Sequence, residues 1–60
     1  MFELAVRAYE EIYRFDLAAK VYRRASAQAA HDGERTQFDW LAKQMSRRAD
    51  IYFARYGRNL

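Results

Sequence analysis

The stretch His31-Asp32-Gly33-Glu34 decides the predicted fold, because it is the first turn-forming stretch of the 60-residue chain. Residues 2–30 before it contain no Gly, no Pro and no cluster of turn-forming residues. Gly readily adopts the left-handed conformation just past a helix C-terminus, so Gly33 and later Gly57 each predict a helix end. The sequence therefore predicts helix 2–30, loop 31–36 and helix 37–56, in a single domain over residues 1–60.

Apolar and small residues recur in both predicted helices in alternating steps of four and three. This spacing is typical of the seam of a coiled coil. In the first helix the seam positions are Met1, Ala5, Ala8, Ile12, Phe15, Ala19, Tyr22, Ser26 and Ala29. In the second helix they are Phe38, Ala42, Met45, Ala49, Tyr52 and Tyr56.

Folding the chain back at the loop brings small residues opposite large ones. Ala19 faces Met45 and Phe15 faces Ala49, an alternation that favours close packing of two helices. The fold class predicted is all-α, an antiparallel two-helix hairpin. The alternative is a first helix that is broken near Tyr13–Asp16.

The small size of the chain indicates self-association. A domain of about 60 residues buries only about 60% of the surface that its unfolded chain exposes, and without cysteine no disulfide is available. An apolar face of the first helix lies away from the seam and needs a cover. We expect a homodimeric four-helix bundle. Its interface residues are Phe2, Val6, Tyr9, Tyr13 and Leu17.

A second group of residues is predicted to bind a different protein. Trp and Arg are enriched among the residues that dominate protein interfaces, and both occur on one outward face of the second helix. The alternative is that Trp40 completes the edge of the dimer core. The predicted partner-binding residues are Trp40, Gln44, Arg47 and Ile51.

Residues suited to catalysis or to metal binding are scarce. His31 is the only histidine and there is no cysteine. Ser26 and Ser46 are predicted on helices with no histidine within a turn, so neither has a base to activate it. No Gly-rich phosphate-binding loop is present. The sequence therefore predicts a chain that is not an enzyme, with no cofactor and no metal site.

The net charge of +3 is mildly basic. Nucleic-acid binding depends on several cations that share one face, and in the predicted hairpin the cations spread over several faces. No apolar run is long enough to span a membrane, and Met1-Phe2-Glu3-Leu4 lacks the basic start and apolar run of a signal peptide. We expect a cytoplasmic chain with no membrane partner.

One segment resembles a single tetratricopeptide-like helix pair. The run from Ala8 to Ala18, AYEEIYRFDLA, is similar to the end of the repeat's first helix, its turn and the start of its second. Ala18, Tyr22 and Ala25 continue the spacing of small and aromatic residues. Tyr13 stands at the turn position that is usually Gly. The resemblance implies a three-helix module that binds peptides.

The architecture also resembles that of the Rop-type plasmid regulators. The shared features are a helical hairpin of about sixty residues and the ending Ala54-Arg55-Tyr56-Gly57. This resemblance implies a homodimeric four-helix bundle that binds paired RNA loops.

Taken together, these patterns predict a small non-enzymatic protein–protein interaction module. A regulator, adaptor or inhibitor of this kind acts by occupying the surface of a partner protein. The alternative is a Rop-like regulator that binds nucleic acid through the basic ends of its helices.

Overall fold

The computed structural model describes residues 2–57, which form three helices. These are α1 (Phe2–Glu11), α2 (Phe15–Ala27) and α3 (Asp32–Tyr56). Over the described residues every regular element is helical, which confirms the prediction of an all-α chain. Met1, assigned to the predicted seam, and residues 58–60 lie outside the described part of the chain.

The prediction of an unbroken helix over 2–30 is wrong, because the chain turns sharply at Tyr13. Tyr13 is the one non-glycine residue among 2–57 with a positive φ, of 61°. Its amide donates to the carbonyl of Glu10 at 3.1 Å, and the amide of Arg14 donates to the carbonyl of Tyr9 at 2.8 Å. These two bonds and a left-handed residue form a Schellman motif, which satisfies the carbonyls that a helix end leaves open.

Tyrosine is an unusual residue for a left-handed turn, since its Cβ crowds the backbone there at a cost of roughly 1–2 kcal/mol. Contacts made by its ring and by the next residues offset this cost. The ring of Tyr13 stacks on Tyr52 of α3, with centroids 5.3 Å apart and planes 3° from parallel. Arg14 donates two hydrogen bonds, of 3.2 and 3.1 Å, to the carboxylate of Asp16 in the first turn of α2.

The second connection lies earlier in the chain than predicted. α2 ends at Ala27 and α3 begins at Asp32, so the predicted loop 31–36 and the predicted start of a helix at residue 37 are wrong. Gly33 lies inside the first turn of α3 and does not cap the preceding helix. Asp32 and Glu34 stand in that first turn, where the helix dipole favours negative charge. This preference accounts for a start at Asp32.

α2 and α3 pack together along the stripe of small residues that the spacing singled out. Ala19, Ala42 and Ala49 are buried, and so is Met45, at 7% exposed. The other end of the predicted seam is not buried. Ile12 and Tyr56 are exposed at 59% and 62%, because α1 leaves the axis of α2 at Tyr13 and no longer runs beside the end of α3.

α1 folds back along α2, so α2 packs against both other helices. Val6, Ala18, Ala19 and Met45 form one buried cluster in which all three helices take part. α1 also reaches α3 through Phe2, whose ring lies 5.2 Å from that of Phe38. The Cα atoms extend over only 37 × 19 × 12 Å. The chain is therefore a thin, elongated body, and much of each helix remains open to a partner.

The left-handed conformation of Tyr13 predicts an unusual order of stability between two variants. Tyr13→Gly and Tyr13→Ala both delete the ring, but only Ala places a Cβ against the backbone. We expect Tyr13→Gly to be more stable than Tyr13→Ala by roughly 1 kcal/mol in chemical denaturation. In a continuous helix the order would reverse, with Ala the more stable by about 1 kcal/mol. The reverse order would contradict the turn.

Candidate functional site

The outer stripe of α3, formed by Trp40, Gln44, Arg47 and Ile51, lies on the side of the helix away from α2. Trp40 and Ile51 are 58% and 63% exposed, Arg47 is exposed and Gln44 is half-buried. On the helical wheel the stripe spans about 60° and lies roughly 160° from the buried Ala42–Met45–Ala49 stripe. The structure therefore brings all four predicted partner-binding residues to one face.

Hydrogen bonds between α2 and α3 fix which face of α3 points outward. The hydroxyl of the buried Ser26 donates to Oδ1 of Asp39 at 2.6 Å. Nearer the middle of α3, Nη2 of Arg23 donates to Oγ of Ser46 at 2.6 Å. Both bonds attach the inner side of α3 to α2. Since α3 cannot rotate without breaking them, they hold the outer stripe toward solvent.

Most residues of the predicted oligomer interface pack within the chain itself. Val6 is 4% exposed, and Phe2 and Tyr9 pack against the core cluster. The assignment of Val6 to a contact with a second copy is therefore wrong, because the turn at Tyr13 lets α1 cover this face itself. Tyr13 remains 53% exposed beside Tyr52, and Leu17 is half-buried.

A shallow groove runs between α1 and α2 on the side of α2 opposite α3. Its volume is about 470 Å³. The floor is apolar, while Lys20 and Arg24 contribute the cations along it. The lining residues include Phe2, Ala5, Tyr9, Leu17, Val21 and Ala25. Leu17 of the predicted oligomer interface thus lines an open surface and not the core.

An aromatic cluster at the far end of α3 was not predicted. Tyr52 is its centre, with ring centroids 6.1 Å from Phe15, 5.3 Å from Tyr13 and 4.7 Å from Tyr56. The guanidinium of Arg48 lies 5.0 Å from the centroid of the Phe15 ring, a cation–π contact. The sequence placed Phe15 and Tyr52 on the same seam. It gave no signal that Tyr13 would join them, since this depends on the turn.

The ion pair beside this cluster stabilises the start of α2. The hydrogen bonds from Arg14 hold the pKa of Asp16 below its ordinary value, because they favour the charged carboxylate. A lowered pKa in the folded chain means that this stabilisation is present above the unfolded pKa of an aspartate. It is lost as the pH falls through the lowered value.

The described residues offer no metal centre. Among residues 2–57 no group of three or more His, Asp or Glu side chains stands close enough to hold a metal ion. His31 is exposed at the N-terminus of α3, in an extended conformation with φ of −126°. Within the described range, no helix is both long enough and apolar enough to cross a bilayer.

Comparisons with known proteins give no relative from which a role could be transferred. No family model, no curated protein and no solved structure matches the chain.

The positions of Trp40 and Met45 predict opposite effects on stability. Trp40→Ala removes an exposed ring and should change the free energy of unfolding by no more than about 0.5 kcal/mol. Met45→Ala opens a cavity in the core cluster and should cost about 2–5 kcal/mol. Thermal or chemical denaturation of both variants tests this. A loss for Trp40→Ala as large as that for Met45→Ala would place Trp40 in a core.

Proposed function

We propose that the chain is a small non-enzymatic protein-interaction module that acts by occupying the surface of a partner protein through the outer stripe of α3. The observation that carries this proposal is the exposure of Trp40 and Ile51 on the face of α3 opposite its buried stripe. Trp is highly buried on average, and it is prominent among interface residues that dominate affinity.

The spacing of the stripe suits one mode of recognition. Its residues stand at i, i+4, i+7 and i+11, the pattern by which an amphipathic helix anchors in a partner's groove. α3 has 25 residues, which corresponds to a rod of about 37 Å. α2 packs against the inner side of α3, and the outer side stays open. The partner is expected to offer a groove that receives this rod.

The charges beside the stripe indicate the chemistry of the partner. Lys43 and Arg47 are exposed on the outer half of α3, and neither of them forms an ion pair within residues 2–57. A groove with an apolar floor and acidic rims would complement this face. Such rim charges chiefly speed association, whereas Trp40 supplies affinity.

Site-specific photo-crosslinking in the cells of origin tests the proposal. A benzophenone amino acid at Gln44, within the stripe, is expected to give an adduct with one protein other than the chain itself. The same group at Ala27, exposed on α2, should not give that adduct. Mass spectrometry of the adduct identifies the partner. Equal adducts from both positions, or none from Gln44, would contradict the proposal.

Once the partner is identified, alanine variants measure the contribution of the stripe. Trp40→Ala is expected to weaken binding by at least about thirtyfold, which corresponds to a hot-spot loss of about 2 kcal/mol. Leu4→Ala is the matched control, since Leu4 is an equally exposed apolar residue at 67% but lies on α1. Equal effects of the two substitutions would show that binding is not localised to the stripe.

The homodimer remains a prediction, but the reason for expecting it has changed. The sequence suggested an uncovered apolar face on the first helix, and the burial of Val6 makes this face smaller. The remaining support is the open groove between α1 and α2 and the small core of a short chain. Sedimentation equilibrium at micromolar concentration should give a mass of two 7.2 kDa chains. A mass of one chain would exclude the homodimer at that concentration.

The two resemblances receive different support. A Rop-like hairpin needs a first helix as long as the second, whereas α1 and α2 are separate helices of 10 and 13 residues. The turn at Tyr13 falls where a tetratricopeptide-like pair has its own turn, and this supports an interpretation of the chain as a peptide-binding or protein-binding helix pair. The Rop-like alternative of binding paired RNA loops has no continuous basic face on α2 and α3 to support it.

A further inference from the structure

A shallow hollow of about 210 Å³ opens on the aromatic cluster at the end of α3. Phe15, Tyr52 and Tyr56 supply aromatic rings, and Arg48 and Arg55 supply cations; Ile51 completes the lining. The hollow is smaller than the roughly 300–1,000 Å³ of pockets that enclose a small molecule. It is suited to one flat ring held on an open surface.

One pair of rings at the hollow is stacked. Tyr13, beside the hollow, lies almost parallel to Tyr52, with centroids 5.3 Å apart, whereas Tyr56 is tilted by 44° to Tyr52, with centroids 4.7 Å apart. Tyr13 and Tyr56 keep 53% and 62% of their surfaces exposed. The exposed surface of Tyr56 in the hollow, and of Tyr13 beside it, is therefore open to a further planar ring.

The charges at the hollow are of one sign. Its lining contains Arg48 and Arg55 but no carboxylate. Neither arginine forms an ion pair with any residue from 2 to 57. Asp16, in the first turn of α2, is bound by Arg14, and Asp50 lines a different hollow on the other side of α3. An anion approaching the rings meets two uncompensated guanidinium groups.

We propose that this hollow binds a nucleobase together with its phosphates, in a single-stranded nucleic acid. The combination of stacking rings and arginines is what single-strand recognition uses, because every base has a π-face and every linkage carries a charge. A duplex is excluded, since its bases are stacked on each other and cannot reach Tyr13 or Tyr56. This site shares Ile51 with the outer stripe, but its rings and arginines lie outside the stripe, so it can be tested independently of the proposed protein partner.

A free nucleotide offers the same chemistry as a strand, and titrations distinguish the two. Uridine monophosphate and an oligouridylate of about ten nucleotides are added to the isotopically labelled chain at low salt, and amide and ring resonances are followed by NMR. Both should shift the resonances of Tyr13, Arg48, Tyr52, Arg55 and Tyr56. The oligonucleotide should bind more tightly, because it presents several phosphates. Equal affinities would instead assign the site to a free nucleotide.

Matched variants separate stacking from charge. Tyr56→Ala should weaken oligonucleotide binding roughly 5- to 140-fold, the range for loss of one stacked base, whereas Tyr56→Phe keeps the ring and should change it little. Two phosphate contacts give a slope of about −1.4 in log K against log salt, and Arg55→Gln should reduce its magnitude by about 0.7. Arg24→Gln, which removes a charge from the opposite side of α2, should not change the slope.

Several results would overturn the proposal. These are an absence of shifts at the hollow, shifts centred on Lys20 and Arg24 instead, or an equal loss of binding in Tyr56→Phe and Tyr56→Ala. Tighter binding of the matching duplex would do the same, because it would show recognition of phosphates alone. Thermal unfolding of each variant shows whether it remains folded. Trp40→Ala should leave nucleotide binding unchanged, which keeps this test separate from that of the protein partner.

Discussion

The left-handed turn at Tyr13 is the constraint on which the rest of the structure depends. Without it the first helix would continue past Ile12 and lie beside the end of α3. With it, α1 reverses direction and packs along α2. The turn uses two backbone hydrogen bonds of a Schellman motif. It also uses the stack of Tyr13 on Tyr52, which joins residues far apart in the chain.

This reversal changes which surfaces are available to partners. In a continuous helix the face that carries Val6 and Tyr9 would point to solvent and would need a second copy to cover it. In the folded chain Val6 lies in the buried cluster with Ala18 and Met45, and Tyr9 packs against it. The same reversal brings Tyr13 to the aromatic cluster at the end of α3. One local conformation therefore removes one candidate interface and creates another.

The sequence correctly predicted buried and exposed residues where these depend on the periodicity of one helix or on the packing of one helix pair. The seam of small residues identified the buried Ala42, Met45 and Ala49, and the opposite face identified the exposed Trp40 and Ile51. Both follow from helical periodicity alone. The aromatic cluster could not be found in this way, because its members come from the turn, from the start of α2 and from the end of α3.

The break at Tyr13 escaped prediction for a related physical reason. Helix ends are read from Gly, Pro and capping residues, whose preference is local. Tyr13 itself disfavours the left-handed turn, and tertiary contacts compensate for this cost.

Gly33, which was wrongly predicted to end a helix, shows the opposite case. A Gly is permissive, so it also fits the first turn of α3, where Asp32 and Glu34 favour a helix start. A permissive residue allows a turn without requiring one.

The three candidate binding surfaces share one property that limits what they can bind. The outer stripe carries Arg47, the groove between α1 and α2 carries Lys20 and Arg24, and the aromatic hollow carries Arg48 and Arg55. Apolar contact between two copies through these surfaces must keep the cations apart, because like charges brought together cost free energy. An acidic protein groove and a phosphate-bearing strand, in contrast, each supply the opposite charge. Since Ile51 belongs to the outer stripe and also lines the hollow, the two ligands would meet at this residue.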